Sequence, residues 1–131
     1  MVRLGLLVNP DAGLGGRLGL KGSDGQAEYA RSQGAKDRSG PRVKDALEHF
    51  VNLHHDISDI TWFTSKGRMG TDWFPENTEI GELITIHQSS DATTVSDTSE
   101  LVKSLIESSI DLLVYAGGDG TTRDIISALE S

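Results

Sequence analysis

At 131 residues with no cysteine, a formal net charge of −8 and a pI near 4.8, the chain fits one domain without disulfides or thiol chemistry. Such acidity argues against a nucleic-acid partner, which needs a basic face. The apolar run Leu4 to Val8 is too short for a signal-peptide core, and nothing approaches a membrane span, so a cytoplasmic protein with no membrane partner is expected.

Arg3 to Val8 predicts a first strand, ended by Asn9-Pro10. Asp11 to Gly40 then holds eight of the fifteen glycines and no helical period. So long a loop in a compact domain is usually functional or disordered, and Gly13 to Gly40 is expected to be mobile when alone. Its glycines at Gly13, Gly15 and Gly19 do not match the dinucleotide fingerprint, and no Walker-type Gly-Lys-Ser/Thr ending occurs. Arg17, Lys21, Arg31, Lys36, Arg38, Arg42 and Lys44 gather in this first third, a local cationic patch suited to a polyanionic small molecule.

Pro41 stands at the favoured first position of a helix running to about His54. Val43, Ala46, Leu47, Phe50, Val51 and His54 form its apolar stripe. His49, His54 and His55 have no carboxylate or cysteine partners at fixed spacing, so no metal ligand set is expected. Ile60 to Thr64 predicts a second strand. A short helical segment follows from Arg68 to Pro75, with Met69, Trp73 and Phe74 as packing residues. Leu83 to His87 predicts the third strand. The polar stretch Ser89 to Thr98 leads to a helix whose start fits a cap by Asp97 with Glu100. Its stripe is Leu101, Val102, Leu105, Ile106 and Ser109.

Leu112 to Ala116 is an unbroken apolar run, the pattern of a fourth strand buried on both faces. Gly117-Gly118-Asp119-Gly120-Thr121 turns the chain, and a helix with Ile125, Ile126 and Leu129 on one side follows. A strand, a glycine turn and a helix start offer backbone N–H groups and a positive helix end to an anion. A carboxylate there repels phosphate, so Asp119 needs a reason. It takes a proton from an attacking hydroxyl, faces phosphate through Mg²⁺, or is an ordinary cap in a glycine turn.

The alternation of strand and helix implies an α/β fold with a parallel sheet covered on both faces. Ligands of such sheets sit at the carboxyl ends of the strands, where Asn9 to Gly25, Ser89 to Thr98 and Gly117 to Thr122 all fall. A parallel sheet normally continues beyond the last helix into another strand. The chain therefore reads as an N-terminal domain, residues 1–131, of a longer protein.

Gly117-Gly-Asp-Gly-Thr121 after a buried strand resembles the signature of the NAD kinase and diacylglycerol kinase superfamily, and Asn9-Pro10 with Gly13 resembles its opening. Val8 to Gly25, Thr93 to Thr98 and Gly117 to Asp124 are similar to the ATP-NAD kinase-like branch across essentially the whole chain. That resemblance implies a Rossmann-like N-terminal domain joined to a C-terminal β-rich domain, with the site between them. It implies phosphoryl transfer from ATP, with Mg²⁺, or from polyphosphate to the 2′-hydroxyl of NAD, and a homo-oligomer. Carried over by position, Asp119 is the general base. Gly117, Gly118, Gly120 and Thr121 cradle phosphates, and Asn9 with Thr93 or Thr94 contacts nucleotide. Lys21 and Asp24 receive no role. The alternatives are a kinase for another hydroxyl substrate, lipid or small metabolite, and a non-catalytic nucleotide-binding regulatory module.

Overall fold

In the computed structural model, residues 1–12, 38–53, 57–76, 79–89 and 94–131 are described. The glycine loop with Lys21 and Asp24, His54, His55 and Thr93 lie outside them.

Four strands, β1 (Val2–Val8), β2 (Ile60–Lys66), β3 (Glu82–Gln88) and β4 (Leu112–Ala116), pair in parallel in the order β3-β2-β1-β4. The helices among the described residues are α1 (Ser39–Leu53), α2 (Val95–Glu107) and α3 (Asp119–Glu130). A 3₁₀ turn, Thr71–Trp73, takes the place of a helix after β2. This is the parallel α/β fold that the alternation of elements predicts.

Period-two alternation in β1 divides the core. Leu7 faces one side and joins Phe63, Leu101, Val102, Leu105, Ile125 and Ala128 beneath α2 and α3. Leu6 and Val8 face the other and join Val43, Leu47, Trp62, Phe74 and Ile80 beneath α1. Trp62 is therefore core, edge-on to Phe74 at a centroid distance of 5.7 Å, and its indole N–H donates to the Ile80 carbonyl at 3.0 Å. Met69, Trp73 and Phe74 pack as expected.

Gly5 explains how α2 lies so near the sheet. A β-carbon there would stand 2.9 Å from Ile110 Cδ1 and 3.0 Å from Leu105 Cδ2. At the amino edge of the sheet, Arg3 donates to the Ser108 and Ser109 carbonyls at the end of α2 and stacks 4.5 Å over Phe63. A cation on a helix C-terminus is favoured by the helix dipole. Thr64, fully buried, donates to the Leu6 carbonyl at 2.7 Å.

Several local expectations are corrected. The cap of α2 is Thr94, one turn before Asp97: Thr94 Oγ1 accepts from the Asp97 N–H, while the Asp97 carboxylate accepts from the Thr94 N–H at 3.0 Å. Asp97 is the third helical residue of that box, which lengthens the helix and buries Thr98. Ile106 and Ser109 are exposed; the buried apolar residues of α2 are Leu101, Val102 and Leu105. Pro41 lies two residues inside α1, which begins at Ser39, and Ala46 is exposed. In α3 the buried stripe is Thr121, Ile125 and Ala128, leaving Ile126 and Leu129 outside. Nor is β4 buried on both faces. It is an edge strand, and α1 reaches only Ala116 on its side, so Leu112 is 59% exposed and Val114 is open as well.

No helix among the described residues is long and apolar enough to cross a membrane.

Candidate functional site

The strand order dictates where a cleft forms. From β1 the chain passes through α1 on one face to β2; from β4 it enters α3 on the opposite face. Neighbouring strands whose outgoing segments leave on opposite faces part at their carboxyl ends, which is where open α/β sheets hold ligands. Here Asn9-Pro10 and Gly117-Gly118 stand side by side at that switch point.

Asn9 ties the two sides together. Its N–H donates to the Ala116 carbonyl at 2.9 Å, and its side-chain amide donates to Thr121 Oγ1 at 2.8 Å. Its amide oxygen accepts from the Asp11 N–H at 3.1 Å, and its carbonyl accepts from Ala12 N–H and from the Ser39 hydroxyl. An asparagine whose side chain bonds the backbone two residues on forms a tight turn.

On the other side, α3 begins at Asp119 with Gly118 as N-cap, and no side chain caps it. The ordinary capping role for Asp119 is thus not what the geometry shows. Its side chain is exposed, at the first helical position. The glycines differ in what they face. A β-carbon on Gly117 would overlap Thr121 Oγ1, Cβ and Cγ2, whereas one on Gly118 would meet nothing within 4 Å. Gly117 closes the turn onto the helix; Gly118 borders open space. Thr121 is buried beneath the turn. Tyr115 and Thr122 hydroxyls hydrogen-bond at 2.9 Å beside it.

Thr94 stands apart from this group. It is on the same carboxyl edge, but its hydrogen bonds run to Asp97 and Thr98 at the head of α2, beside β3. Strands β2 and β1 lie between β3 and β4. Of the residues singled out in the sequence, the fold therefore unites Asn9, Gly117, Gly118, Asp119, Gly120 and Thr121. It leaves Thr94 at the far end of the same rim.

The flank of the crevice carries a group that sequence reasoning passed over. The turn after β2 reaches back to β1, where the Val8 N–H donates to the Met69 carbonyl at 2.9 Å. This sets the Arg68 guanidinium 3.8 Å from the Asp11 carboxylate, with Arg68 about one-third exposed. Its position directly after a strand, on the edge where the other loops gather, was the available signal.

The bond from Asn9 to Thr121 is testable alone. Thr121→Val keeps the shape but leaves the Asn9 amide without its acceptor. It is expected to lower stability by about 1–3 kcal/mol in urea unfolding, with an unchanged secondary-structure spectrum.

An open, all-parallel α/β sheet with a glycine turn and helix N-terminus at its topological switch point is an arrangement that suits a phosphate-bearing ligand. Residues 4–131 match the family model of the ATP-NAD kinase N-terminal domain. The chain belongs to that family. No curated protein and no solved structure matches it significantly. Membership implies nucleotide substrates, ATP and NAD among them.

Proposed function

We propose that this chain is the nucleotide-binding domain of a two-domain, cytoplasmic kinase, working as a homo-oligomer. The enzyme moves a phosphoryl group from ATP or inorganic polyphosphate to the adenosine 2′-hydroxyl of NAD. The observation that carries this reading is an exposed carboxylate, Asp119, at the uncapped start of α3 in the switch-point crevice of a chain in the NAD kinase family. Family membership alone would not single out a residue.

In this reading Asp119 accepts the proton of the acceptor hydroxyl. The oxygen so released forms a new bond to the transferred phosphorus, and the bond from that phosphorus to the donor's bridging oxygen breaks. Gly118 and Gly120, with the N–H groups of the first turn of α3, hold phosphate oxygens. The open space at Gly118 fits so close an approach. Gly117 and Thr121 keep the turn in shape. Asn9 and Thr93 or Thr94 bind nucleotide from the rim; for Asn9, the amide that now donates to Thr121 is the group to be shared. A Mg²⁺ accompanying the phosphates would supply charge neutralisation; the alternative role for Asp119 is to face the phosphates through that ion instead of acting as base. Positioning and electrostatics carry most of the barrier reduction in this chemistry.

Calorimetry with ATP, NAD and polyphosphate, with product analysis on the full-length protein, tests the reading. NADP as product supports it. Phosphorylation of a lipid or another metabolite but not NAD would replace the acceptor, and nucleotide binding without product from any acceptor would make this a regulatory module.

A further inference from the structure

At the β3 end of the carboxyl edge, His87, Asp97 and Glu100 bring one donor atom each within 4.8 Å of one another. His87 Nε2 lies 3.2 Å from Glu100 Oε2 and 3.9 Å from Asp97 Oδ1. The His87 and Asp97 side chains are each only 9% exposed, whereas Glu100 is 66% exposed. We propose that these three residues form a binding site for a divalent transition-metal ion of the zinc type, pinning the end of β3 to the start of α2.

The backbone is shaped to make this cluster. The β2–β3 register shifts after Thr64, so that Thr85 pairs with Thr64 but His87 pairs with Ser65. Ile86 packs against the core beneath α2, and strict alternation would send His87 to the opposite face. The irregularity turns it instead toward Asp97 and Glu100 on α2. Re-aiming a side chain is what a bulge does, and bulges favour functional positions.

Two of the donors are held from behind. His87 Nδ1 lies 2.9 Å from Ser65 Oγ, and that hydroxyl lies 3.1 Å from the Lys66 carbonyl, to which it donates. His87 Nε2 in turn meets both carboxylates, within hydrogen-bond distance of Glu100 Oε2 at 3.2 Å. A divalent cation in place of the proton they share would take the same three donor atoms. Asp97 Oδ2 accepts from the Thr94 N–H and hydroxyl, and Oδ1 lies 3.9 Å from His87 Nε2. Such outer partners fix the orientation of metal ligands.

Charge and spacing agree. An imidazole and two carboxylates together offset a dication. Ligands about 2.0–2.2 Å from zinc lie roughly 3.4 Å apart when tetrahedral, so the exposed Glu100 needs only a side-chain rotation to close the set. Imidazole among the donors favours zinc-like ions over Mg²⁺ or Ca²⁺. Three strand spacings, on the order of 14 Å, separate this end of the sheet from β4, so the ion is structural rather than a participant in phosphoryl transfer. It would hold the end of β3 against the start of α2, and with it Thr94.

The test uses this chain after dialysis against a chelator, titrated with Zn²⁺ by calorimetry and with Co²⁺ by visible absorption. One equivalent binding in the micromolar range or tighter is expected, with a Co²⁺ spectrum showing nitrogen ligation and a raised Tm. His87→Gln and Glu100→Gln should each weaken binding by roughly tenfold or more. Glu107→Gln, exposed farther along α2, should leave it unchanged. Glu100 is mostly exposed, so its variant keeps the fold even if His87→Gln does not. Absence of stoichiometric binding, or affinity unchanged in Glu100→Gln, would overturn the assignment.

Discussion

Asp119→Asn in the full-length protein is expected to lower turnover by about 10²–10⁴-fold, the range a positioned general base contributes. The amide keeps the size of the side chain and cannot accept the hydroxyl proton. Asp119 is exposed and caps nothing, so the variant should unfold at the same temperature as the parent. Its KM for NAD should move little, because the interaction lost is made in the transition state. A steady-state comparison of kcat and KM, with a thermal melt of each protein, decides the matter. Unchanged turnover would remove Asp119 from the chemistry. A large loss of stability would mean that the residue holds the turn instead.

The second large effect concerns the frame. Leu105→Ala is expected to cost about 2–5 kcal/mol. Leu105 is 1% exposed, packs in the cluster beneath α2 and α3, and approaches the bare backbone of Gly5. Glycine offers no side chain that could move into the gap, so relaxation from that direction is small and the cavity persists. For a domain of this size the loss corresponds to roughly 8–20 °C in Tm. Ile106→Ala, one residue on and exposed, should be nearly silent by comparison. Chemical denaturation of both variants measures the contrast.

What could be read from the residues follows physical lines. The four strands were legible because each is a run of β-branched, aliphatic or aromatic residues bounded by polar or glycine stretches. Their parallel direction followed from the alternation of strands with intervening crossovers, helical between β1 and β2 and between β3 and β4. The convergence of Asn9 with Gly117 to Thr121 was legible too, since each follows a strand and strand ends share an edge.

Helix phase was not. Ile125, Ile126 and Leu129 suggest one stripe on hydropathy alone, yet the buried face runs through Thr121, Ile125 and Ala128. The hydrogen bond from Asn9 anchors Thr121 inward, and the helix turns with it. A polar contact across 112 residues leaves no trace in local periodicity. The cap of α2 was ambiguous for a different reason. Thr94 with Asp97 and Asp97 with Glu100 both have capping spacing, and they differ by one turn of helix. The His87 cluster was hidden more deeply, because a register irregularity reverses the face that alternation assigns to that histidine. The exposure of Leu112 and Val114 shows the limit of reading burial from an apolar run: composition marks a strand but not its rank in the sheet.

Because β1 and β4 send their chains off in opposite directions, the gap between them is a product of wiring, not of carving by bulky residues. Of the residues bordering it, Asn9, Gly117 and Thr121 hold the frame, whereas Gly118 faces open space and Asp119 caps nothing. Changes at Gly118 and Asp119 can therefore alter what this edge presents while the strands beneath keep their packing.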